Sequence, residues 1–246
     1  MANEFAPCTE AQKAAVLERL AVIRQNIADS CAAAGRDVSD VTLMAVTKTV
    51  SPELINLAVD QGVQVLGENR VQEFLSKRDA YRSSAEVQFI GHLQTNKVKQ
   101  IIDKVTLIQS VDSLHLAEAI DKAAAQQGIV MPVLLEVNIG GEASKSGVSA
   151  EELPKLLEAV GKLKAVRADG LMTIPPPCFD EAEQCRTFTA MQQLYQQMQQ
   201  IAPLKILSMG MSGDYAAAIR CGATLVRIGS ALFGARQYPP QANTLT

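Results

Sequence analysis

The chain has only two histidines, His92 and His115, and its five cysteines, Cys8, Cys31, Cys178, Cys185 and Cys221, form no Cys-x-x-Cys pair. That argues against a zinc site. An odd cysteine count without paired spacing points instead to a reducing, cytoplasmic setting, with the thiols packed as small core residues. No apolar run approaches the ~20 residues that a membrane-spanning helix needs. The opening residues, MANEFAPCTEAQK, lack the positive-then-apolar order of a secretory signal. Basic residues do not exceed acidic ones, and the formal charge of -3 argues against nonspecific attraction to nucleic acid. What remains is a soluble globule of 246 residues, 48% apolar and 20% charged. An α/β barrel can occupy about that length as one domain.

Thr9-Glu10-Ala11-Gln12 reads as a capping box, and Val16, Leu20, Ile23 and Ile27 then recur at helical spacing, with Gly35 as the stop. This predicts a leading helix over 9–35. From there a unit repeats: a β-rich apolar run, a polar residue or glycine that closes it, and a helical pattern. The runs are 41–47, 63–66, 87–90, 105–109, 131–137, 166–171, 204–209 and 225–228. No convincing hairpin turn joins neighbours, and parallel strands need helical crossovers of this kind. Eight such units predict a closed (β/α)8 barrel in preference to an open sheet. The whole chain, 1–246, reads as a single α/β domain with a Pro-rich tail over 235–246.

Residues at the C-terminal ends of barrel strands line the active face. Here they are Lys48, Asn69, Gly91-His92, Ser110, Asn138, Met172-Thr173, Ser212 and Gly229-Ser230. In VTLMAVTK, alternation puts Lys48 on the face of Thr42, Met44 and Val46. A lysine closing such a strand either snorkels into water or sits partly desolvated, with a lowered pKa and an amine free to attack a carbonyl.

The last two units add an anion site. SMGMSGDYAAAI sets glycines and Ser212 ahead of a helix, and VRIGSALFG offers the close backbone of Gly229 and the hydroxyl of Ser230. Barrel phosphate sites commonly use these two loops. Arg227 lies within the eighth strand and faces away from Val226 and Ile228. It needs either a carboxylate partner or a cofactor ring nitrogen. A reactive lysine on strand one, adjacent in a closed barrel to a phosphate cradle on strands seven and eight, suits pyridoxal 5'-phosphate (PLP).

The segments VTLMAVTK, GENRVQE, FIGHLQTNK, GLMTI, LSMGMSGD and VRIGSALFG resemble those of the pyridoxal phosphate homeostasis proteins, over nearly the whole chain to Gly234. That family is similar to the N-terminal barrel of alanine racemase, fold type III. The resemblance implies that Lys48 holds PLP as a Schiff base and that Ser212, Gly229 and Ser230 hold its phosphate. It implies further that Arg227 faces the pyridine nitrogen and that Asn69 lies beside the ring. It leans toward a monomer, with PLP-dependent apoenzymes as partners. His92, beside an ordinary capping neighbourhood at Thr95, reads as structural. Lys97 and Lys145 are competing amines in polar stretches, and Asn138, Cys178 and the 140–147 loop receive no role.

Two features argue against catalysis. An arginine at the pyridine nitrogen disfavours protonating the ring, which weakens it as an electron sink. Racemisation also needs a second acid/base, and none of Tyr81, Tyr195, Tyr215 and Tyr238 is persuasively placed. The expectation is therefore a carrier that buffers or delivers PLP, with no catalytic residues and no metal. The alternatives are a single-domain amino-acid racemase, and a barrel lyase or aldolase that uses Lys48 without PLP.

Overall fold

Thr9 and Gln12 satisfy each other's backbone donors: Gln12 N donates to Thr9 Oγ1 at 3.2 Å and Thr9 N to Gln12 Oε1 at 2.8 Å. This capping box starts α1 (Glu10–Ala33), whose Val16, Leu20, Ile23 and Ile27 are buried. In the computed structural model, which describes residues 7–141 and 146–235, eight parallel strands follow α1 and close into a barrel. Lys145, Tyr238 and the tail after 235 lie outside the described residues.

The strands are β1 (Thr42–Val46), β2 (Val65–Glu68), β3 (Glu86–Phe89), β4 (Leu107–Val111), β5 (Met131–Glu136), β6 (Val166–Met172), β7 (Ile206–Ser208) and β8 (Leu225–Ile228). The helices between and after them are α2 (Pro52–Asp60), α3 (Val71–Lys77), α4 (Val98–Ile101), α5 (Leu114–Gln127), α6 (Leu153–Val160), α7 (Glu181–Gln199), α8 (Tyr215–Arg220) and α9 (Ser230–Phe233). Each strand pairs with its sequence neighbours, and β1 also pairs with β8, from Thr42 opposite Leu225 to Ala45 opposite Ile228.

Strand alternation sorts the side chains into two layers. Ala45, Leu66, Phe89, Ile108, Leu135, Leu171, Leu207, Val226 and Ile228 point outward into the core shared with the helices. Met44, Val46, Val65, Ile90 and Leu225 pack inside the barrel, and so do Leu107, Leu134 and Met172. The interior is thus filled by side chains, as barrels of this size require.

Three elements differ from the sequence pattern. β2 runs on through Gly67 and Glu68, because Gly67 pairs with both Val46 and Gln88 and Glu68 finds buried partners. The third crossover helix is only α4, led by a 3-10 turn at Thr95–Lys97 whose N-cap, Gln94, makes no side-chain cap bond. Ser149 and Glu152 do bond each other, yet α6 begins only at Leu153. Pro154 is tolerated only in a first helical turn, so the helix cannot start earlier.

Among the described residues, no helix is long and apolar enough to cross a membrane. No cluster of three or more His, Cys, Asp or Glu among them could hold a metal ion.

β6 and β7 approach so closely that a Cβ on Gly170 would stand 1.9 Å from the Ile206 carbonyl oxygen. Backbone cannot yield as a side-chain tip can. Gly170→Ala is expected to cost about 3 kcal/mol or more in a denaturant titration, as overpacking at a rigid contact does.

Candidate functional site

β1 ends at Val46, and Lys48 stands in the turn beyond it, half-buried. The strand, expected over 41–47 with Lys48 at its closing end, stops one residue earlier, and Thr49 takes φ 62°. A β-branched residue in the left-handed region must be held there by its surroundings.

A buried charge cluster does so. Glu68 points outward from β2 beneath α3, with its side chain 0% exposed, and Lys77 on α3 is 1% exposed. Lys77 Nζ donates to the Thr47 carbonyl at 2.9 Å and to Glu73 Oε1 at 2.8 Å, and stands 3.4 Å from Glu68 Oε1. Thr47 Oγ1 donates to Glu68 Oε1 at 2.6 Å, Tyr81 Oη donates to the same oxygen at 2.5 Å, and Thr49 N donates to Glu73 Oε1 at 2.5 Å. Both residues flanking Lys48 are therefore tied to one ionic cluster. Burial, then the Glu68 charge, hold the Tyr81 phenol far above its ordinary pKa, so it remains a donor.

Sequence reading missed this cluster. Its signals were Glu73 and Lys77 at i,i+4 and a glutamate inside the β2 pattern.

At the other side of the β1–β8 seam, Asp214 Oδ1 accepts from Met211 N at 2.6 Å and closes the turn after β7, where Gly210 takes φ 91°. Burial raises the Asp214 carboxyl pKa. Ser212 projects from this turn, and its Oγ accepts from Gly229 N at 3.2 Å and Ala231 N at 3.1 Å. Lys48, Gly229 and Ser230 line one cavity of about 360 Å³, together with Val46 and Cys8. Four of the predicted residues therefore meet: Lys48, Ser212, Gly229 and Ser230.

Arg227 enters the barrel interior from β8, 3% exposed. Nη1 donates to Ser208 Oγ at 2.7 Å and Nη2 to the Thr173 carbonyl at 2.8 Å. Its direct partners are thus neutral, which corrects the carboxylate-pair alternative. Ser208 Oγ in turn donates to Gln109 Oε1 at 2.7 Å, and Gln109 Nε2 to Gln88 Oε1 at 2.6 Å. A hydrogen-bonded chain thus crosses the barrel from β8 through β7 and β4 to β3. Burial pulls the guanidinium down to about 10, against the charges of Asp214 and Glu136, so it stays protonated at neutral pH.

Glu136, on the inner face of β5 and 7% exposed, went unnoticed in the sequence because it sits within an apolar strand. Burial, with the Asp112 charge second and opposed by Arg227, pushes its carboxyl up to about 7.

Asn69 does not line the Lys48 cavity. It borders a separate groove of about 650 Å³ with Arg70, His92 and Lys97, and its Oδ1 is buried without a hydrogen-bond partner. Gly91 is required there, since a Cβ would stand 2.1 Å from the Asn69 carbonyl oxygen. His92 has its side chain 63% exposed and 3.8 Å from Asp112 Oδ2, and the cap of the Thr95 turn is Gln94, which makes no side-chain bond. Asn138 N donates to the Val148 carbonyl at 3.0 Å and anchors the neck of the 140–147 loop, of which 142–145 lie outside the described residues. Cys178 Sγ lies 3.2 Å from Glu183 Oε2, at the start of α7.

Comparison with known proteins gives four findings. Residues 19–237 match the family described as alanine racemase, N-terminal domain. The pyridoxal phosphate homeostasis protein of Aquifex aeolicus is 45% identical over 224 residues, covering 90% of this chain and 98% of that protein. PipY of Synechococcus elongatus, solved with PLP bound, is 32% identical with a TM-score of 0.78, over 89% of this chain and 100% of PipY. The alanine racemase of Clostridium difficile 630 shares the fold at 18% identity and a TM-score of 0.70, over 92% of this chain and 57% of the racemase.

Two outcomes follow from the buried charges. Lys77→Ala leaves Glu68 and Glu73 without their cation and should cost about 3–5 kcal/mol in urea unfolding, whereas Lys77→Met combined with Glu68→Gln should recover part of it. Glu136 carries a folded pKa of about 7 against an ordinary 4.5, so its protonated form favours the fold. Its contribution is present below the unfolded value and is lost as pH rises toward 7, by up to roughly 3 kcal/mol. Glu136→Gln should flatten stability between those pH values and raise Tm at pH 8.

Proposed function

This chain belongs to the pyridoxal phosphate homeostasis proteins, within the alanine racemase N-terminal domain family, and we propose that it binds PLP on the C-terminal face of its barrel and buffers or delivers it without turnover. The observation that carries this reading is the convergence of Lys48, Gly229 and Ser230 on one cavity, with Ser212 bonded into the adjoining backbone. The cavity, about 360 Å³, suits a small ligand.

The residues fit the cofactor on their own chemistry. Lys48 supplies an amine for a Schiff base. Gly229 supplies close backbone, since a Cβ there would stand 3.3 Å from Val46 Cβ. The hydroxyls of Ser212 and Ser230 and the neighbouring amides suit a phosphate. Asn69 Oδ1, buried and unpaired, borders the neighbouring groove, so its expected place beside the ring would need the ligand to reach beyond the Lys48 cavity. Arg227 uses two of its five N–H donors on Ser208 and Thr173, which leaves others for a ring nitrogen.

When bound, the cofactor supplies an aldehyde and a conjugated ring that can accept electrons. A protonated Arg227 facing the ring nitrogen would donate to it and disfavour its protonation, which would suit storage better than carbanion chemistry. No tyrosine lines the Lys48 cavity among the described residues. Tyr81 is committed to Glu68, and Tyr215 Oη accepts from Asn26 on α1 at 2.9 Å. We read the chain as one barrel domain acting as a cytoplasmic monomer that passes PLP to apoenzymes.

Glu136, titrating near neutrality inside the same barrel, is the one observation that favours the racemase alternative. Solvent-deuterium incorporation at the α-carbon of a free amino acid, lost in Glu136→Gln and in Lys48→Ala, would decide for it.

The protein as purified, or after PLP is added, should be yellow, and borohydride should fix the cofactor on the peptide carrying Lys48. Lys48→Ala should abolish the visible band while Lys97→Ala retains it. Ser212→Ala should weaken PLP affinity about tenfold, the size of one lost hydrogen bond to a charged group. Wild-type protein that stays colourless with added PLP overturns the reading.

A further inference from the structure

Cysteine packing is not uniform across the chain. Cys31 is 0% exposed, as a small core residue should be, but Cys185 and Cys221 are only half-buried. They meet along the seam between α7 and α8. There Arg220 pairs with Glu181, and a Cβ on Gly222 would stand 2.9 Å from Gln192 Cγ, so the two segments are in direct contact. Cys221 Sγ lies 3.8 Å from the Cys185 carbonyl oxygen and accepts from Thr189 Oγ1 at 3.7 Å. The Cys185 thiol is close enough to raise the pKa of the Cys221 thiol further. Cys185 also lines an open hollow of about 520 Å³ with Arg186 and Thr189. Cys185 thus borders a space that a reagent can enter, and Cys221 lies next to it.

We propose that Cys185 and Cys221 are a reversible dithiol–disulfide pair, a redox-modification site on the α7–α8 seam. The oxidant is a low-molecular-weight disulfide such as oxidised glutathione. Cys185 loses its proton and its sulfur attacks one sulfur of the small disulfide, releasing one small thiolate that takes up that proton. Cys221, deprotonated in turn, attacks the Cys185 sulfur and breaks the mixed disulfide, releasing the second small thiol. Two protein thiols are oxidised and one small disulfide is reduced to two thiols. The order follows from the surroundings: burial raises the Cys221 thiol, which makes it the poorer first nucleophile. Disulfides of this exposed kind are the labile ones in reducing compartments. The bond would fasten α7 to α8, the helix that directly follows the Ser212 turn, and it forms whether or not PLP is bound.

The test uses the full chain as purified, reduced and then incubated with oxidised glutathione, followed by alkylation and tryptic mapping without reductant. Cleavage after Lys and Arg leaves Cys178 and Cys185 together on 168–186 and Cys221 on 221–227. The expected result is a cross-link between those two peptides, with two of the five thiols lost. Dithiothreitol should reverse it. Cys178→Ser should keep the cross-link and Cys185→Ser should lose it, while Cys221→Ser should accumulate the mixed disulfide on Cys185. Tm should rise by about 5 °C on oxidation and return on reduction. Retention of both thiols in alkylatable form, a Cys178–Cys221 link, or a cross-link that forms only in denaturant overturns the proposal.

Discussion

Hydrogen bonding between the first and last strands is the constraint on which the site depends. β1 and β8 pair in a single register, with Met44 opposite Arg227 and Ala45 opposite Ile228. Because side chains alternate, a slip of one residue would drive Arg227 into the helix layer and bring Ile228 inside. The apolar residues of the outer core resist that slip on both strands. The same register sets how far the turn after β1 and the turn after β8 extend beyond the sheet. Lys48, Gly229 and Ser230 share a cavity because these two turns leave adjacent strands at matched heights.

The barrel interior holds two kinds of packing. Met44, Val65 and Leu225 pack as hydrocarbon, while Gln88, Gln109, Ser208 and Arg227 form a polar chain. A buried guanidinium is costly, and here its partners at hydrogen-bond distance carry no charge. Compensation comes through space from Glu136 and Asp214, whose own carboxyls are held above their ordinary range by the same burial. The arrangement sacrifices stability to keep one cation fixed and dry beneath the open end of the barrel. Such a trade is common at binding sites.

Much of this was legible in the residues. The capping box at Thr9, the eight alternating units and the glycine-serine turns after β7 and β8 each rest on local rules, and local rules act over a few residues. The position of Lys48 was less legible. Continuation of the β pattern was the simplest reading of VTLMAVTK, yet Thr49 leaves the extended region because Glu73 and Lys77, more than twenty residues away, hold its backbone and that of Thr47. Glu136 was hidden in an apolar strand. Asn69 and His92 were read at strand ends, but whether they open on the Lys48 cavity or on the next groove depends on how strands tilt around the barrel.

By itself, the sequence determined which segments become strands and helices, the closed barrel they build and the side on which its polar strand ends collect, because periodicity, caps and glycines act locally. The tertiary structure alone decided which side chains meet: Lys77 with Glu68 behind the Lys48 turn, Arg227 with Ser208 within the barrel, and Cys221 against Cys185 between α7 and α8. The last two pairings join residues from different β/α units, and all three distances are set by strand register and helix packing, which periodicity alone does not contain.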